Sequence, residues 1–271
     1  CKSLIEIEIP SSVTSIGKKA FENCSSLKKI IIPSSITSIG DEAFKDCSLL
    51  SELQIPSSIT ILNELVFYSC RSLTKIIIPS SVTMIGHNAF QYCSLINEVV
   101  IPPSVTTIGI FAFECCSSLT RIIIPDSVNY IYRGAFCDCQ SLTEVSIPNT
   151  LDSLTYYMFY KCTSLKEIVI PSSIKTIMEE CFFECSSLTK VTFESPSSLT
   201  SIEKDAFKGC PLIDEFLVPS SVKSIGEGSF KECSSLTKVA FESPSSLTSI
   251  EKEAFKGCPL IDEFLVPSSV K

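Results

Sequence analysis

The chain is poor in the residues on which many catalytic and nucleic-acid-binding sites depend. Its 271 residues include no tryptophan, one histidine, and 22 lysines and arginines against 30 aspartates and glutamates, which gives a formal net charge of -8. Binding to nucleic acid requires clustered positive charge that neutralises phosphates, and this charge balance argues against it. No uncharged apolar run approaches the roughly 18–20 residues of a membrane span. The composition therefore argues against nucleic-acid partners and against a membrane span within this chain.

An internal repeat dominates what is present. Of the 15 cysteines, most recur at intervals of 23 residues, with two intervals of 25 near the end of the chain. Each of these cysteines after Cys1 is preceded, three residues earlier, by a phenylalanine, as Phe44 precedes Cys47. A period of this length is typical of stacked repeat proteins, so the sequence predicts a single solenoid over residues 1–271, with about eleven repeats of 23–25 residues. The repeat-position cysteines are Cys1, Cys24, Cys47, Cys70, Cys93, Cys116, Cys139, Cys162, Cys185, Cys210, Cys233 and Cys258.

Each repeat carries a strand signal followed by a bend. In residues 27–33, Ile30 and Ile32 alternate with outward positions, and Pro33 ends the strand because it lacks a backbone donor. Gly40 then predicts a bend, since glycine tolerates positive φ. The segment from that bend to the next cysteine is long enough for one or two helical turns. One repeat cannot bury its own apolar side chains, whereas stacking buries them, so we expect a parallel sheet with strands about 4.8 Å apart. The chain starts and ends mid-repeat without an evident polar cap, which predicts flanking sequence.

The repeat pattern Leu-x-x-Ile-x-Ile-Pro-x-x-Val-x-x-Ile-Gly-x-x-Ala-Phe-x-x-Cys resembles the BspA-like class of leucine-rich repeats, over essentially the whole chain. The resemblance implies an α/β solenoid, a right-handed leucine-rich repeat with a parallel β-sheet on the concave face and short helical turns on the convex face. It also implies a surface protein of the kind found on anaerobic bacteria and parasitic protists, with a role in adhesion to host matrix proteins and other cells. These functions come from the family and not from the spacing.

The repeat-position cysteines are expected to form a file of buried thiols. Free cysteine behaves as a small buried hydrophobe, parallel Cβ vectors are poorly placed for a disulfide, and a linear file does not converge tetrahedrally on zinc. Cys181 takes the small-residue position before Phe182 and is expected to be a buried filler. Cys115 and Cys137 lie on adjacent repeats near the expected solvent side. Exposed thiols are favoured there, and a bridge between them stays open.

No arrangement typical of catalysis is evident. His87 stands at a repeat position otherwise occupied by residues such as Lys18 and Asp41, which indicates a tolerant surface position, and no cysteine shares it for a nucleophilic pair. The many serines lie in Pro-Ser-Ser segments, where hydrogen bonding to local backbone explains them. The sequence therefore predicts no enzyme, no cofactor and no metal site.

The outward positions of the strands carry the functional signal. The first outward position holds charges that alternate in sign almost throughout, broken only at Glu144 and Glu167, and such cross-strand pairs stabilise the register of a sheet. The second outward position is largely apolar, and exposed apolar patches often mark binding sites. The simpler interpretation, that β-branched residues merely suit a strand, stays open. The residues predicted to bind a partner are Ile31, Ile77, Val100, Ile123, Val169, Lys75, Glu98 and Arg121, with the densest part at Ile77, Val100 and Ile123.

Two further features carry expectations. The 25-residue intervals add two residues just after a strand, at residues 193–196 and 241–244, where a local bulge is expected rather than a lost turn. All seven tyrosines lie away from the predicted strand face, and they are either a second contact patch or half-buried fillers.

The leading hypothesis is a non-enzymatic adhesion module on the cell surface or secreted. Its concave sheet face is expected to bind a host extracellular-matrix or cell-surface protein, with self-association as a further option. A cytoplasmic scaffold or regulatory repeat protein remains an alternative, because abundant unpaired thiols suit a reducing compartment. A structural spacer remains a third.

Overall fold

The computed structural model describes residues 1–262, 264, 267, 268 and 270, and it divides into two compact units, Cys1–Leu142 and Thr143–Lys271. Each unit is a parallel β-solenoid. A turn typically contributes one strand of three or four residues and one strand of two residues, which we call the first-ladder and second-ladder strands. The repeat architecture predicted from the cysteine spacing is confirmed within each unit. That both units form a single domain stays a prediction.

The strands are numbered here in chain order. The first unit contains β1 (Glu6–Glu8), β2 (Ser15–Ile16), β3 (Lys29–Ile31), β4 (Ser38–Ile39), β5 (Ile61–Leu62), β6 (Lys75–Ile77), β7 (Met84–Ile85), β8 (Glu98–Val100), β9 (Thr107–Ile108), β10 (Arg121–Ile123) and β11 (Tyr130–Ile131). The second unit contains β12 (Glu144–Ser146), β13 (Ser153–Leu154), β14 (Glu167–Ile170), β15 (Thr176–Ile177), β16 (Lys190–Phe193), β17 (Ser201–Ile202), β18 (Glu215–Val218), β19 (Ser224–Ile225), β20 (Lys238–Phe241) and β21 (Ser249–Ile250).

Both ladders are parallel and keep repeat positions in register. In the first unit, β6, β8 and β10 pair in sequence on the first ladder, and β5, β7, β9 and β11 pair on the second. In the second unit, β14 pairs with β16 and β18 with β20, while the second ladder runs from β13 through β15, β17 and β19 to β21. Residues at one repeat position therefore form a row along the stack.

Stacked phenylalanine rings run through the core of each unit. In the first unit, the ring of Phe90 lies 5.4 Å from that of Phe67 and 5.2 Å from that of Phe113, with nearly parallel planes. In the second unit, Phe207 lies 5.1 Å from Phe182 and is also stacked on the following ring. These rings are completely buried. The phenylalanine that the sequence places before each repeat cysteine is thus the centre of the hydrophobic core.

The file of buried thiols is confirmed for the repeat-position cysteines from Cys24 to Cys233, which are all buried, and Cys181 is buried as predicted. The thiols also hydrogen bond. The carbonyl of Phe90 accepts the N–H of Cys93 in its own turn at 3.0 Å and the Sγ of Cys116 in the next turn at 3.3 Å. The same bond joins successive turns in the second unit, as between Cys210 and Phe182 at 3.1 Å. These thiols therefore tie their turns to the preceding ones.

The predicted short helical turns are wrong, because the described residues contain no helix. In the segment leading to each cysteine, N–H groups alternate between two kinds of partner. The N–H of Phe21 donates to the carbonyl of Ala43 in the next turn at 2.8 Å, whereas the N–H of Glu22 donates back to Lys19 in its own turn at 3.1 Å. Lys19 and Asn23 have φ of 60° and 58°, which is incompatible with a right-handed helix. The segment is a chain of tight turns that bonds to its neighbour like a strand.

The repeat glycines have a different role from the one predicted. Gly40, Gly86 and Gly109 are not among the residues with positive φ. Instead they lie directly against the preceding turn, since a Cβ on Gly86 would be 2.5 Å from the carbonyl oxygen of Leu62. The absence of a side chain permits this close approach of two backbones. These glycines allow stacking rather than bending.

The Pro-Ser-Ser serines also bond differently from the prediction. The hydroxyl of Ser81 donates to the carbonyl of Ile59 at 2.6 Å, and that of Ser35 donates to the carbonyl of Val13 at 2.7 Å. Both acceptors belong to the preceding turn, so these bonds are not local. Side-chain hydrogen bonds therefore join the turns at this corner as thiols do in the core.

The two 25-residue intervals do not interrupt the solenoid. Ile170 and Phe193 remain paired in the ladder of β14 and β16, and the additional residues lie in the connection from β16 to β17. The turn is kept, as predicted, and the addition lies after the strand rather than in a bulge of the ladder. The carboxylate of Glu194 accepts the N–H of Ser172 at 3.0 Å and the side-chain amide of Asn149 at 3.3 Å. The longer connection thus supplies a cap for the preceding turn.

Candidate functional site

The first ladder of the first unit presents two rows of side chains to solvent, which together we call the strand face. Strands β3, β6, β8 and β10 each have an exposed, a buried and an exposed residue in succession. The buried residue packs on the core, so the other two point outward because side chains alternate along a strand. The charge row is Lys29, Glu52, Lys75, Glu98 and Arg121, and the apolar row is Ile31, Gln54, Ile77, Val100 and Ile123.

The charge row alternates in sign between adjacent strands. Glu98 is the register partner of Lys75 on one side and of Arg121 on the other. Lys29 is likewise paired with Glu52 by a parallel bridge. Opposite charges on neighbouring strands contribute about 0.2–1 kcal/mol per pair. The row therefore favours one register of the stack and places both signs of charge along one side of the apolar row.

The densest part of the apolar row is as exposed as the sequence indicated. Ile77, Val100 and Ile123 are 64%, 66% and 49% exposed, and Ile77 is paired directly with Val100. Ile31 is also exposed but is separated from them along the row by Gln54. Three adjacent strands thus present a continuous aliphatic strip, and this arrangement is less usual on a surface that faces only water.

Shallow grooves follow the same rows. One of about 480 Å³ is lined by the outward residues of β8 and β10, including Glu98, Val100, Arg121 and Ile123. Another of about 460 Å³ lies over the part of the face that includes Ile31 and the outward residues of β6. These open grooves combine apolar and charged side chains, which gives the face the character of a protein-contact surface rather than of an enclosed ligand cavity.

The remaining predicted site residue, Val169, belongs to the second unit. It is 53% exposed on β14, and its register partner is Thr192 on β16. Exposed apolar residues on the first ladder of the second unit, such as Leu217, alternate with small or polar residues, since Leu217 is paired with Ala240. The second unit therefore offers isolated apolar side chains where the first offers a strip.

His87 and Cys115, which were considered for catalysis, contact different partners. His87 is exposed, and its Nδ1 accepts the N–H of Ile110 at 2.9 Å. Burial, together with the carboxylate of Asp138 3.5 Å away, raises the pKa of the Cys115 thiol to about 12. A thiol of this kind is protonated at neutral pH and is a poor nucleophile. Among the described residues, no group of three or more histidines, cysteines and carboxylates is placed to hold a metal ion.

The expectation of two exposed thiols at Cys115 and Cys137 is wrong. Cys137 is only 8% exposed and Cys115 is partly buried. Gln91, at the same repeat position as Cys137, is similarly buried, which indicates that this position lies against neighbouring turns rather than on a helix surface. The described residues include all 15 cysteines, and they contain no disulfide.

The comparisons with known proteins agree with this geometry. The BspA type leucine-rich repeat region matches in six copies, at residues 1–116, 83–210 and 153–271. The chain belongs to the BspA-type leucine-rich-repeat family. No curated protein gives a significant match.

Three solved structures show which proteins this BspA-type chain resembles. A leucine-rich repeat protein from Bacteroides ovatus is 27% identical, with a TM-score of 0.52 over 94% of this chain and 85% of that one. A leucine rich cell surface protein from Faecalibacterium prausnitzii is 27% identical, with a TM-score of 0.56 over 91% and 83%. The leucine-rich repeat protein of T. pallidum is 31% identical, with a TM-score of 0.56 over 60% and 78%. Leucine-rich-repeat folds of this family are repeat-protein folds that generally lack enzymatic activity.

No helix in the described part of this BspA-type chain has the length and apolar character needed to cross a membrane.

The sequence reasoning found a second exposed apolar group only in part, since it named the tyrosines as a candidate contact patch but not the residues around them. It lies on the second ladder of the first unit, and we call it the second-ladder patch. Tyr130 on β11 is 65% exposed and Tyr132, just after it, is 47% exposed. Both lie off the strand face, as predicted for the tyrosines. The signal was available, because apolar residues replace the usual small or charged residues at these repeat positions. The patch consists of Ile61, Met84, His87, Ile110, Tyr130 and Tyr132.

Proposed function

We propose that this chain is a non-enzymatic, cell-surface adhesion module that binds host extracellular-matrix or cell-surface proteins through the strand face of its first unit. The observation that carries the proposal is the aliphatic strip of Ile77, Val100 and Ile123, which is bordered by the alternating charges of Lys75, Glu98 and Arg121. The absence of catalysis is part of the proposal and rests on the general character of the family fold.

The arrangement fits the usual anatomy of a protein interface. Such interfaces have an apolar centre from which charge is depleted and a polar rim that excludes water and fixes orientation. Burying each half-exposed aliphatic side chain of the strip would contribute about 1 kcal/mol, since complete burial contributes roughly 1.5–3 kcal/mol. The neighbouring charges alternate, so they select a partner with matching charges rather than one with a uniform sign.

Similarity to surface proteins supports the proposed location. The Faecalibacterium prausnitzii relative is described as a cell surface protein and shares the fold over 91% of this chain. A repeat scaffold that carries its strip on short rigid strands is also suited to binding, because its outward rows vary without altering the core.

The test is binding to immobilised matrix and host-cell surface proteins by the parent chain and by an Ile77→Lys/Ile123→Lys variant. Both substitutions occur at exposed positions, so circular dichroism and the thermal midpoint are expected to remain near those of the parent. A Leu49→Lys/Leu95→Lys variant is the matched control, because it adds the same charge at two exposed leucines of the first unit that lie outside the strand face.

We expect the parent and the control to bind at least one of these proteins and the strand-face variant to lose ten-fold or more in affinity. Equal binding by all three proteins would remove the strand face from the proposal. Failure of the parent to bind any matrix or host-surface protein would contradict the adhesive function itself.

A further inference from the structure

The outward position of the second-ladder strands has a clear default residue. It is serine or threonine in eight of the eleven such strands, and the three exceptions are Ile61, Met84 and Tyr130 of the first unit. The eight default residues are Ser15, Ser38, Thr107, Ser153, Thr176, Ser201, Ser224 and Ser249. The scaffold therefore does not require an apolar residue at this position.

Neighbouring positions depart from their defaults on the same turns. Tyr132 stands where Gly86 and Gly109 stand in the two preceding turns. His87 and Ile110 stand at a position that holds a charged residue in the first three turns. Apolar or aromatic side chains thus replace serine, glycine and charge together in one region, and that coincidence is not explained by strand packing.

The replaced residues lie on adjacent strands of one sheet. Strand register places Ile61 beside Met84, and Thr107 lies between Met84 and Tyr130 on adjacent strands. The ring of His87 meets that of Tyr132 edge to face, with centroids 5.7 Å apart. The second-ladder patch therefore spans four adjacent strands of a single sheet.

The six side chains of the patch carry no lysine, arginine or carboxylate charge, and their row is bordered by one charge of each sign, Glu64 before His87 and Arg133 after Ile110, although the chain as a whole carries a net charge of -8. Two copies of the chain repel each other over most of their acidic surface, and this repulsion is least where both present neutral side chains. A two-fold dimer also needs a surface that complements itself, and a neutral apolar patch meets that condition without opposing like charges.

The size of the patch is consistent with a weak dimer. With two tyrosines about half to two-thirds exposed and four other partly exposed side chains, it offers on the order of 500 Å² per copy, or about 1,000 Å² in a two-fold pair, which is the lower range of specific interfaces. Tyrosine and methionine are also among the residues enriched at interface centres.

We propose that the second-ladder patch of Ile61, Met84, His87, Ile110, Tyr130 and Tyr132 is a self-association surface at which two copies of this chain pair about a two-fold axis. The strand face is not part of this contact, so each copy in the dimer keeps its own strand face available. Two linked binding surfaces would raise the avidity of the pair for a surface-bound partner.

The test is sedimentation velocity of the full chain from about 1 to 200 μM, a range that covers weak interfaces of this size. A Met84→Ser/Tyr130→Ser variant restores the residue that this position holds elsewhere, so it is expected to fold like the parent, as circular dichroism will check. An Ile77→Ser/Ile123→Ser variant removes comparable apolar area from the strand face and is the matched control.

We expect a concentration-dependent dimer for the parent and for the strand-face control, and at least a ten-fold weaker dimer for the patch variant. A parent that stays monomeric up to 200 μM overturns the proposal, as does a dimer that only the strand-face substitutions abolish. If the parent is monomeric and the patch variant loses a host protein in the binding assay, the patch belongs to a heterologous partner. None of these outcomes depends on whether the strand face binds host proteins.

Discussion

In the first unit, the second ladder turns Ile61, Met84 and Tyr130 outward. In the second unit, the same position holds serine or threonine in all five second-ladder strands, β13, β15, β17, β19 and β21. The first ladder shows the same contrast, since a strip of three aliphatic residues in the first unit corresponds to isolated Val169 and Leu217 in the second. The buried rows do not differ in this way. Phenylalanine and cysteine occupy equivalent positions in both units. The scaffold is therefore constant where turns stack and variable where they face solvent.

The largest expected effect is a loss of stability at alkaline pH, and it tests whether the cores of the two units are equivalent. Burial raises the pKa of thiols in both units, to about 12 for Cys93 in the first and for Cys210 in the second. Above pH 9 the unfolded state loses these protons while the folded state keeps them, so the unfolded state is favoured. Each such thiol lowers the free energy of unfolding by about 1.4 kcal/mol per pH unit until its folded pKa is reached.

With several such thiols in each unit, we expect stability to fall steeply between pH 9 and 12, while it is insensitive to these thiols near pH 7. Denaturant unfolding followed by circular dichroism measures the loss. A pulse of iodoacetamide, followed by peptide mass spectrometry, shows which thiols open. Labelling confined to one unit at pH 10 would contradict the equivalence of the two cores.

A smaller effect is expected from removing one phenylalanine ring from the core of each unit. Phe90→Ala removes a ring that is stacked on two others, whereas Phe207→Ala also removes an edge contact with Phe216, 5.5 Å away. Phenylalanine-to-alanine changes in cores cost about 3–5 kcal/mol. We expect both variants to lie in this range and Phe207→Ala to be the more destabilising. The denaturant midpoint of each variant is the measurement. A larger loss of stability for Phe90→Ala would contradict the inference that the stacked phenylalanines of the second unit have additional ring contacts.

The smallest effect concerns the added residues of the second unit. Glu194→Ala removes an acceptor for the N–H of Ser172, and this acceptor has no counterpart in the 23-residue repeats of the first unit. Because the carboxylate is exposed, we expect a loss of only about 0.5–1 kcal/mol. Glu64→Ala, at an exposed glutamate of the first unit, is the control and is expected to be neutral. If the two variants are equally stable, the longer connection contributes nothing through this carboxylate.

Features that repeat in every turn were predictable from the sequence. Alternation in β6 and β8 placed Ile77 and Val100 outward and their neighbours inward, because a strand has a period of two whatever its surroundings. The thiol file followed for the same reason, since residues such as Cys93 and Cys116 keep one spacing. The exposure of the candidate site could therefore be predicted, while its role as a binding site stays a prediction.

Features that depend on contact between turns were not predictable. The residue type of Lys19 gives no sign of its positive φ, whereas Asn23 does, because asparagine is enriched in the left-handed region. That signal was not used, so the segment before each cysteine suggested a helix. Its N–H groups bond to the next turn, and a single repeat contains no information about that neighbour. Gly86 was misassigned for the same reason, because what it meets is the backbone of Leu62 in another turn. The tyrosines were recognised as a candidate contact patch, but the rest of the second-ladder patch was missed because the row of Tyr130 was not compared with its serine and threonine default.

The hydrogen-bonded thiols affect how the chain folds. Cys116 and its equivalents use their S–H groups to join one turn to the next, so the native state is complete without any sulfur–sulfur bond. We expect such a chain to reach its fold without an oxidase or a disulfide isomerase, because no pairing has to be chosen among many cysteines. Oxidants reach these sulfurs only when a turn opens, and oxidation there would remove the donor that holds the turn in place. Cysteine oxidation in this protein would then accumulate at the rate at which its turns open, so the oxidised fraction of each cysteine would report how often its turn opens.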